Sequence, residues 1–256
     1  MIDLPTESLR WCMGFLLVLA RVGAVLVQLP GLGEAVAPPM AKIAVALAMT
    51  LLLLPVLEPH IPPLPDAGLG FAAMIAAEAF AGLWFGWLAR VLTQTLTVAM
   101  QYVALFLGLS SVLQPDAELG PQTSALARMA EMAIPLLVLS TGLYRIALSA
   151  MVEFYTLAPP GSVLPPADGA AAAVAAVARS LVLAMRLASP FLVASVVWNV
   201  LAGLLSRLVP RLQIYFAAMP GQILGGLYLL AMLSGGVLSV WHDAVSKALR
   251  AVPTGL

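Results

Sequence analysis

Long apolar runs separated by short breaks rich in proline and glycine fill almost the whole chain. Trp11 to Leu29 is the first run, interrupted by Arg21 and closed by Pro30-Gly31. Pro38-Pro39 opens the second, Met40 to Leu57. EPHIPPLPDAG, Glu58 to Gly68, then reads as a connection, because proline removes a helix donor and clashes one turn back. From Gly70 to Leu113 there is no proline. As a helix this stretch would be roughly 65 Å long, about twice the hydrocarbon thickness, so it is read as two spans, or as one long helix bent near Arg90 to Thr97 where polar residues gather, two spans being preferred. Ser124 to Tyr155 is the next helical run, carrying Arg128, Glu131 and Arg145. A second proline-rich connection, Ala158 to Gly169, offers Asp168 as an N-cap for the Ala-rich run that reaches Leu208, with a kink expected at Pro190. Val209 to Gly221 reads as a tight reversal and Gln222 to Trp241 as the last span. The pattern predicts an all-α, polytopic integral membrane protein of six to seven helices.

One stretch breaks this pattern in a different way. Gly108 to Gln122, GLSSVLQPDAELGPQ, places Pro115, Gly120, Pro121, Asp116 and Glu118 between two apolar runs. A surface loop would look like this. So would irregular backbone lining a pore, which lipid excludes but a protein-walled cavity permits.

Composition sharpens the membrane reading and removes several functions. The 256 residues are 62% hydrophobic and 9% charged, with mean hydropathy +1.03, where a soluble domain carries about 25% charge. Twelve basic and twelve acidic residues cancel, which gives no electrostatic case for nucleic acid. Cys12 stands alone, so an internal disulfide or a Cys-rich metal site is excluded. Asp3 and Glu7 sit where a secretory signal would be basic. His60 and His242 have no ligand spacing around them, and no nucleophile elbow, zinc-protease helix or phosphate-binding glycine loop occurs. No catalytic residue, cofactor or metal is expected. On a seven-span count, Arg10, Arg128, Arg207 and Arg211 face Lys42, Arg90, Arg179, Lys247 and Arg250 across the membrane, so basic residues set no orientation.

Glu78, Gly82 and Gly86 recur every four residues and share a helix face. Two glycines so spaced let another helix approach closely, and a carboxylate on that face costs about 2.5–3.5 kcal/mol if it meets lipid. The face is therefore read as a packing seam with Glu78 paired to an arginine, a proton relay being the other reading. Gly221 and Gly225 suggest a second seam. The intramembrane charges Arg21, Glu131, Arg145 and Arg186 are read as interhelical partners.

Several of these stretches resemble the FliR family of flagellar biosynthetic proteins and their virulence-secretion counterparts, the T-type export-apparatus subunits. They are RVGAVLVQLPGLGEAVAPPMAKIAVALAM from Arg21 to Met49, EAFAGLWFG from Glu78 to Gly86, LGLSSVLQPD from Leu107 to Asp116, and the proline-bounded Pro210 to Pro220. The order matches the family's from about residue 21 to 230. Departures are Pro115-Asp116 for an Asp-Pro turn, Gly142-Leu143-Tyr144 for a Gly-His pair, and Arg211 and Gln213 for a glutamine and an asparagine.

The resemblance implies a subunit of a bacterial type III export gate, passing unfolded flagellar proteins through an inner-membrane pore at the flagellar basal body. FliP-like and FliQ-like subunits and other export-apparatus membrane proteins would be its partners, beside lipid and the exported chains. Residues 1–178 would resemble FliP and residues 179–256 a FliQ-like hairpin and tail, wound with the partners into a helical cone. The resemblance further implies a pore plug at Ser110, Ser111, Leu113, Gln114, Pro115, Asp116, Glu118, Gly120 and Pro121. A virulence-secretion subunit with the same role is the alternative. A secondary transporter is a further one, though no internal repeat supports it.

Overall fold

The computed structural model describes residues 6–31, 33, 38–63, 68–109, 124–162, 166–208 and 214–252. Among them it contains helices and no strand. These are α1 (Thr6–Gln28), α2 (Pro39–Leu57), a 3₁₀ turn (Glu58–His60), α3 (Gly68–Thr93), α4 (Thr95–Phe106), α5 (Ala125–Ser140), α6 (Leu143–Leu157), α7 (Pro166–Leu208) and α8 (Ile214–Ala251). Among the described residues, five stretches are long and apolar enough to cross a membrane: Ser8–Gln28, Pro39–His60, Gly68–Phe106, Gly169–Leu208 and Ala218–Ala251. The pair α5 and α6, bent by 73°, makes a sixth when counted as one span. The protein is an all-α, polytopic membrane protein.

The stretch from Gly70 to Leu113 parts at Gln94, between α3 and α4 and inside the expected Arg90–Thr97 segment, and the two helices together make the apolar stretch Gly68–Phe106. The polar residues there are satisfied locally. Thr93 Oγ1 donates to the carbonyls of Ala89 and Arg90 at 2.9 and 3.0 Å, and Arg90 reaches Gln28 at 3.3 Å. Conversely, the expected single run from Ser124 to Tyr155 is broken at Thr141–Gly142. Gly142 lies at φ +77°, a left-handed conformation that glycine adopts without steric cost. Pro135 and Pro190 both sit inside helices that run past them. Asp168 falls in the first turn of α7, two residues after its start, and is not the N-cap. Helix α8 begins at Ile214, inside the stretch expected to reverse, and carries Pro220 within it.

The chain divides into two compact units, one of Met1–Thr93, Pro135–Val177 and Ser246–Leu256, the other of Gln94–Ile134 and Ala178–Val245. Both draw on early and late parts of the chain, so neither coincides with 1–178 or 179–256.

The first unit is built on α1, which packs against α2 and α3. Met13, Leu17, Arg21, Val25 and Leu29 recur every four residues and are all buried, with Arg21 at the centre of the stripe. Pro39 opens α2 at its first turn, where a missing N–H costs nothing. Lys42 Nζ donates to Gly33 O at 3.0 Å and so ties the start of α2 to the turn after α1.

In the second unit, α4 buries Leu96, Ala99, Val103 and Ala104. Six polar side chains on α7 and α8 hydrogen-bond to their own helix. Ser189, Ser195, Asn199, Ser206, Ser234 and Ser239 each reach a carbonyl three or four residues back.

Candidate functional site

The first unit encloses one charged pair. Arg21 on α1 and Glu78 on α3 are both 0% exposed. Arg21 Nε stands 2.7 Å from Glu78 Oε2, and its Nη2 donates to Glu78 Oε1 at 3.0 Å. This is the two-pronged geometry a planar guanidinium offers a carboxylate. The remaining amine, Nη1, donates to Ala158 O at 2.6 Å, and Gly161 N–H donates to Glu78 Oε1 at 2.6 Å.

The turn after α6 thus closes on the pair with a carbonyl for the cation and an N–H for the anion. Gly161 lies at φ +80°, a conformation that favours glycine, and a Cβ there would stand 2.6 Å from Met74 Cε, the mobile end of that side chain. Aromatic rings complete the enclosure. Tyr155 lies 4.2 Å and Phe154 5.7 Å from Arg21 Cζ, measured to ring centroids, within the range of cation–π attraction. Phe154 packs in turn on Trp84 and Phe85 at 5.8 and 5.5 Å. The Tyr155 hydroxyl is buried and has no hydrogen-bond partner among the described residues.

This arrangement links three chain segments through one pair of opposite charges. Nη1 and Nη2 of Arg21 and Oε1 of Glu78 are hydrogen-bonded, while Nε and Oε2 meet as an ion pair without hydrogen-bond alignment. Removing either charge would leave the other buried and uncompensated, at a cost of about 3–5 kcal/mol.

Glycines continue the α1–α3 contact. A Cβ at Gly82 would collide with the Arg21 carbonyl and stand 2.8 Å from Ala24 Cβ, and one at Gly86 would stand 2.6 Å from Gln28 Cβ. The face carrying Glu78, Gly82 and Gly86 lies directly against α1. The second glycine pair behaves differently. Gly221 meets Trp198 of α7 at 3.0 Å, while nothing lies within 4 Å of a Cβ at Gly225. Its neighbour Gly226 makes the close contact instead, against Leu107 after α4.

The other intramembrane charges are not brought together. Glu131, Arg145 and Arg186 are exposed, and Arg145 Nε reaches only the hydroxyl of the adjacent Tyr144, at 3.1 Å. Among the described residues none of the three pairs with another helix of this chain. The nine plug residues, Ser110, Ser111, Leu113, Gln114, Pro115, Asp116, Glu118, Gly120 and Pro121, lie outside the described residues. No group of three metal-ligating side chains occurs among the described residues.

Sequence reasoning missed Ala158, Gly161, Tyr155 and Gly226. The first two act through backbone atoms, which residue type does not reveal. The last had a signal, since Gly225-Gly226 is a glycine pair of which only one member fitted the assumed spacing.

The model of the family described as bacterial export proteins, family 1, matches residues 12–248 of this chain. The chain is also 34% identical over 233 residues to the flagellar biosynthetic protein FliR of Caulobacter vibrioides, an alignment covering 91% of this chain and 93% of that protein.

Proposed function

This chain belongs to the FliR family of bacterial export proteins, and from that premise we propose that it is a subunit of the flagellar type III export gate. It is a multi-pass membrane component of protein export and not an enzyme. The observation that carries the proposal is the similarity to FliR along nearly the full length of both chains.

We infer that the protein sits in the bacterial inner membrane at the flagellar basal body and forms part of the pore for unfolded flagellar proteins. FliP-like and FliQ-like subunits would be its partners, with residues 1–178 and 179–256 laid out like those two proteins. Its task is mechanical. The enclosed Arg21–Glu78 pair and the Gly82–Gly86 contact support this, because among the described residues the buried charge serves to hold helices together. Exposed charges at Glu131 and Arg145 are costly against lipid, which supports neighbouring subunits covering them. Residues 110–122 would fill the pore at rest. Their support is the helix-breaking prolines and the mixture of apolar and acidic side chains.

The test is deletion of the gene in its own host, with a tagged copy returned for purification. Loss of flagellar export and motility, restored by the copy, and recovery of FliP-like and FliQ-like proteins with it are expected. A deletion strain that builds flagella normally would overturn the proposal.

A further inference from the structure

Helix α7 has 43 residues, which makes it about 64 Å long, roughly twice the hydrocarbon thickness of a bilayer. Only part of it can lie among lipid tails, and its charges decide which part. They are Asp168, Arg179, Arg186 and Arg207. Ten residues separate the first two, six the next two, and twenty the last two. Twenty residues of helix rise about 30 Å, one hydrocarbon thickness. The stretch 187–206 is therefore the one charge-free segment of α7 with the length to cross.

Its surface suits lipid. Val193, Val196, Val197, Val200, Leu201 and Leu204 are all more than half exposed, and lipid tails cover such side chains without penalty. Helix α8 meets Trp198 at Gly221 and has no charged residue from Ile214 to Trp241, so it brings no counter-charge to the segment.

The arginines that bound this segment are exposed, and among the described residues neither Arg179 nor Arg186 pairs with a carboxylate. Seven residues apart, the two share one side of the helix over about 10 Å. Val182 lies between them, 65% exposed. Arginine can keep its aliphatic stem in an apolar layer while the guanidinium reaches the polar edge. The planar fork of that group matches two oxygens of a phosphate. With 187–206 among the tails, Arg186 stands at the phosphate layer of one leaflet and Arg207 at that of the other. Arg179 stands about 10 Å further out than Arg186.

We propose that Arg179 and Arg186 form a binding site for the phosphate groups of anionic phospholipids, and that α7 crosses the hydrocarbon with residues 187–206 alone. Charge complementarity and the match of the charge-free length to one bilayer carry the inference. It concerns the lipid around the protein and goes beyond the export reading. A neighbouring protein laid over the same face is the competing occupant, and the experiment separates the two.

The full chain is purified from its host together with the subunits that accompany it. Phosphatidylglycerol or phosphatidylcholine is titrated into the sample in neutral detergent, and bound lipid is counted by mass spectrometry of the intact assembly. We expect phosphatidylglycerol to bind more tightly. Arg179→Gln and Arg186→Gln should each weaken it about fivefold, and the double variant about twenty-five-fold, the factors for one and two basic side chains at an anionic surface. Arg186→Lys should lose less than Arg186→Gln because the charge remains, and Arg145→Gln on α6 should change nothing. Separately, Val182→Cys and Val193→Cys are each placed in a Cys12→Ser background. Permeabilised membranes are then treated with a membrane-impermeant maleimide. Val182→Cys should label and Val193→Cys should not.

Equal binding of the two lipids, or a double variant that holds phosphatidylglycerol as the native chain does, would overturn the site. Displacement of the lipid by inorganic phosphate at equal concentration would do the same. An unlabelled Val182→Cys would put protein over this face and overturn the lipid as its occupant. Labelling at both positions would overturn the assignment of 187–206 to the hydrocarbon. Should the double variant fail to assemble, the two single variants and the cysteine pair still decide.

Discussion

The two compact units fasten their helices by opposite means. In the first, a fully buried arginine and glutamate bind each other and the two ends of a turn. In the second, the neutral amides of Gln101 and Gln222 meet the Ser124 N–H and the Phe106 carbonyl, at the ends of α5 and α4. Both solutions satisfy backbone groups that helix ends leave open, but they differ in what it costs to undo them. A buried ion pair that loses one member forfeits about 3–5 kcal/mol, whereas a neutral hydrogen bond contributes about 0.5–1.5 kcal/mol. The first kind of joint holds a fixed scaffold. The second is the weaker joint.

The largest expected effect comes from breaking the charged joint. Glu78→Leu should lower stability by about 3–5 kcal/mol, because Arg21 would keep only the Ala158 carbonyl and the Tyr155 and Phe154 rings. The double variant Arg21→Leu/Glu78→Leu should recover most of that loss, since it leaves no unpaired charge. Thermal unfolding of the purified protein in detergent measures both. A single variant as stable as the native chain would show that water reaches the pair.

How much of this joint was legible in the sequence depends on the kind of atom involved. Arg21 interrupting a run, and Glu78 heading a four-residue glycine spacing, pointed to a protein-facing charge and a close helix contact. Those signals lie in side-chain type and period. The 158–161 turn gave no such signal, because its contribution comes from one carbonyl and one N–H, which every residue except proline possesses. Helix breaks were legible at Arg90 to Thr97, where α3 gives way to α4, and not at Gly142. The polar residues from Arg90 to Thr97 resemble a loop, yet threonine hydroxyls can return to their own helix. Thr141-Gly142 looked continuous because a single glycine within an apolar run is usually tolerated. Its left-handed conformation is a backbone property that periodicity does not carry.

An intermediate effect separates the two glycine pairs. Gly82→Ala and Gly86→Ala should each cost about 1–3 kcal/mol by driving a methyl group into α1. Gly225→Ala, with open space around it, should be neutral or gain about 0.5–1 kcal/mol from the lower chain entropy of alanine in a helix. Unfolding midpoints compared across the three variants decide the matter. Equal losses at all three positions would erase the distinction between a seam closed within the chain and a face left free.

The smallest effect expected is at Tyr155. Tyr155→Phe keeps the ring against Arg21 and removes a hydroxyl that is buried without a partner, so stability should be unchanged or rise by up to about 1 kcal/mol. A clear loss in the same unfolding assay would mean that the hydroxyl binds an ordered water and belongs to the joint.

The bend at Gly142 has a geometric consequence for the bilayer. Helices α5 and α6, of 16 and 15 residues, are about 24 and 22 Å long, and each alone is shorter than the hydrocarbon layer of about 30 Å. Leaning equally across their 73° bend, they would together rise about 37 Å, enough to pass from one leaflet to the other. The reach is shortened by about a fifth relative to a straight rod. So placed, the pair would bow sideways at mid-depth, where the two arms meet. A straight neighbour can then lie along only one arm. Whatever packs beside this element in one leaflet cannot continue beside it in the other, so a single glycine divides its flank into two separate surfaces.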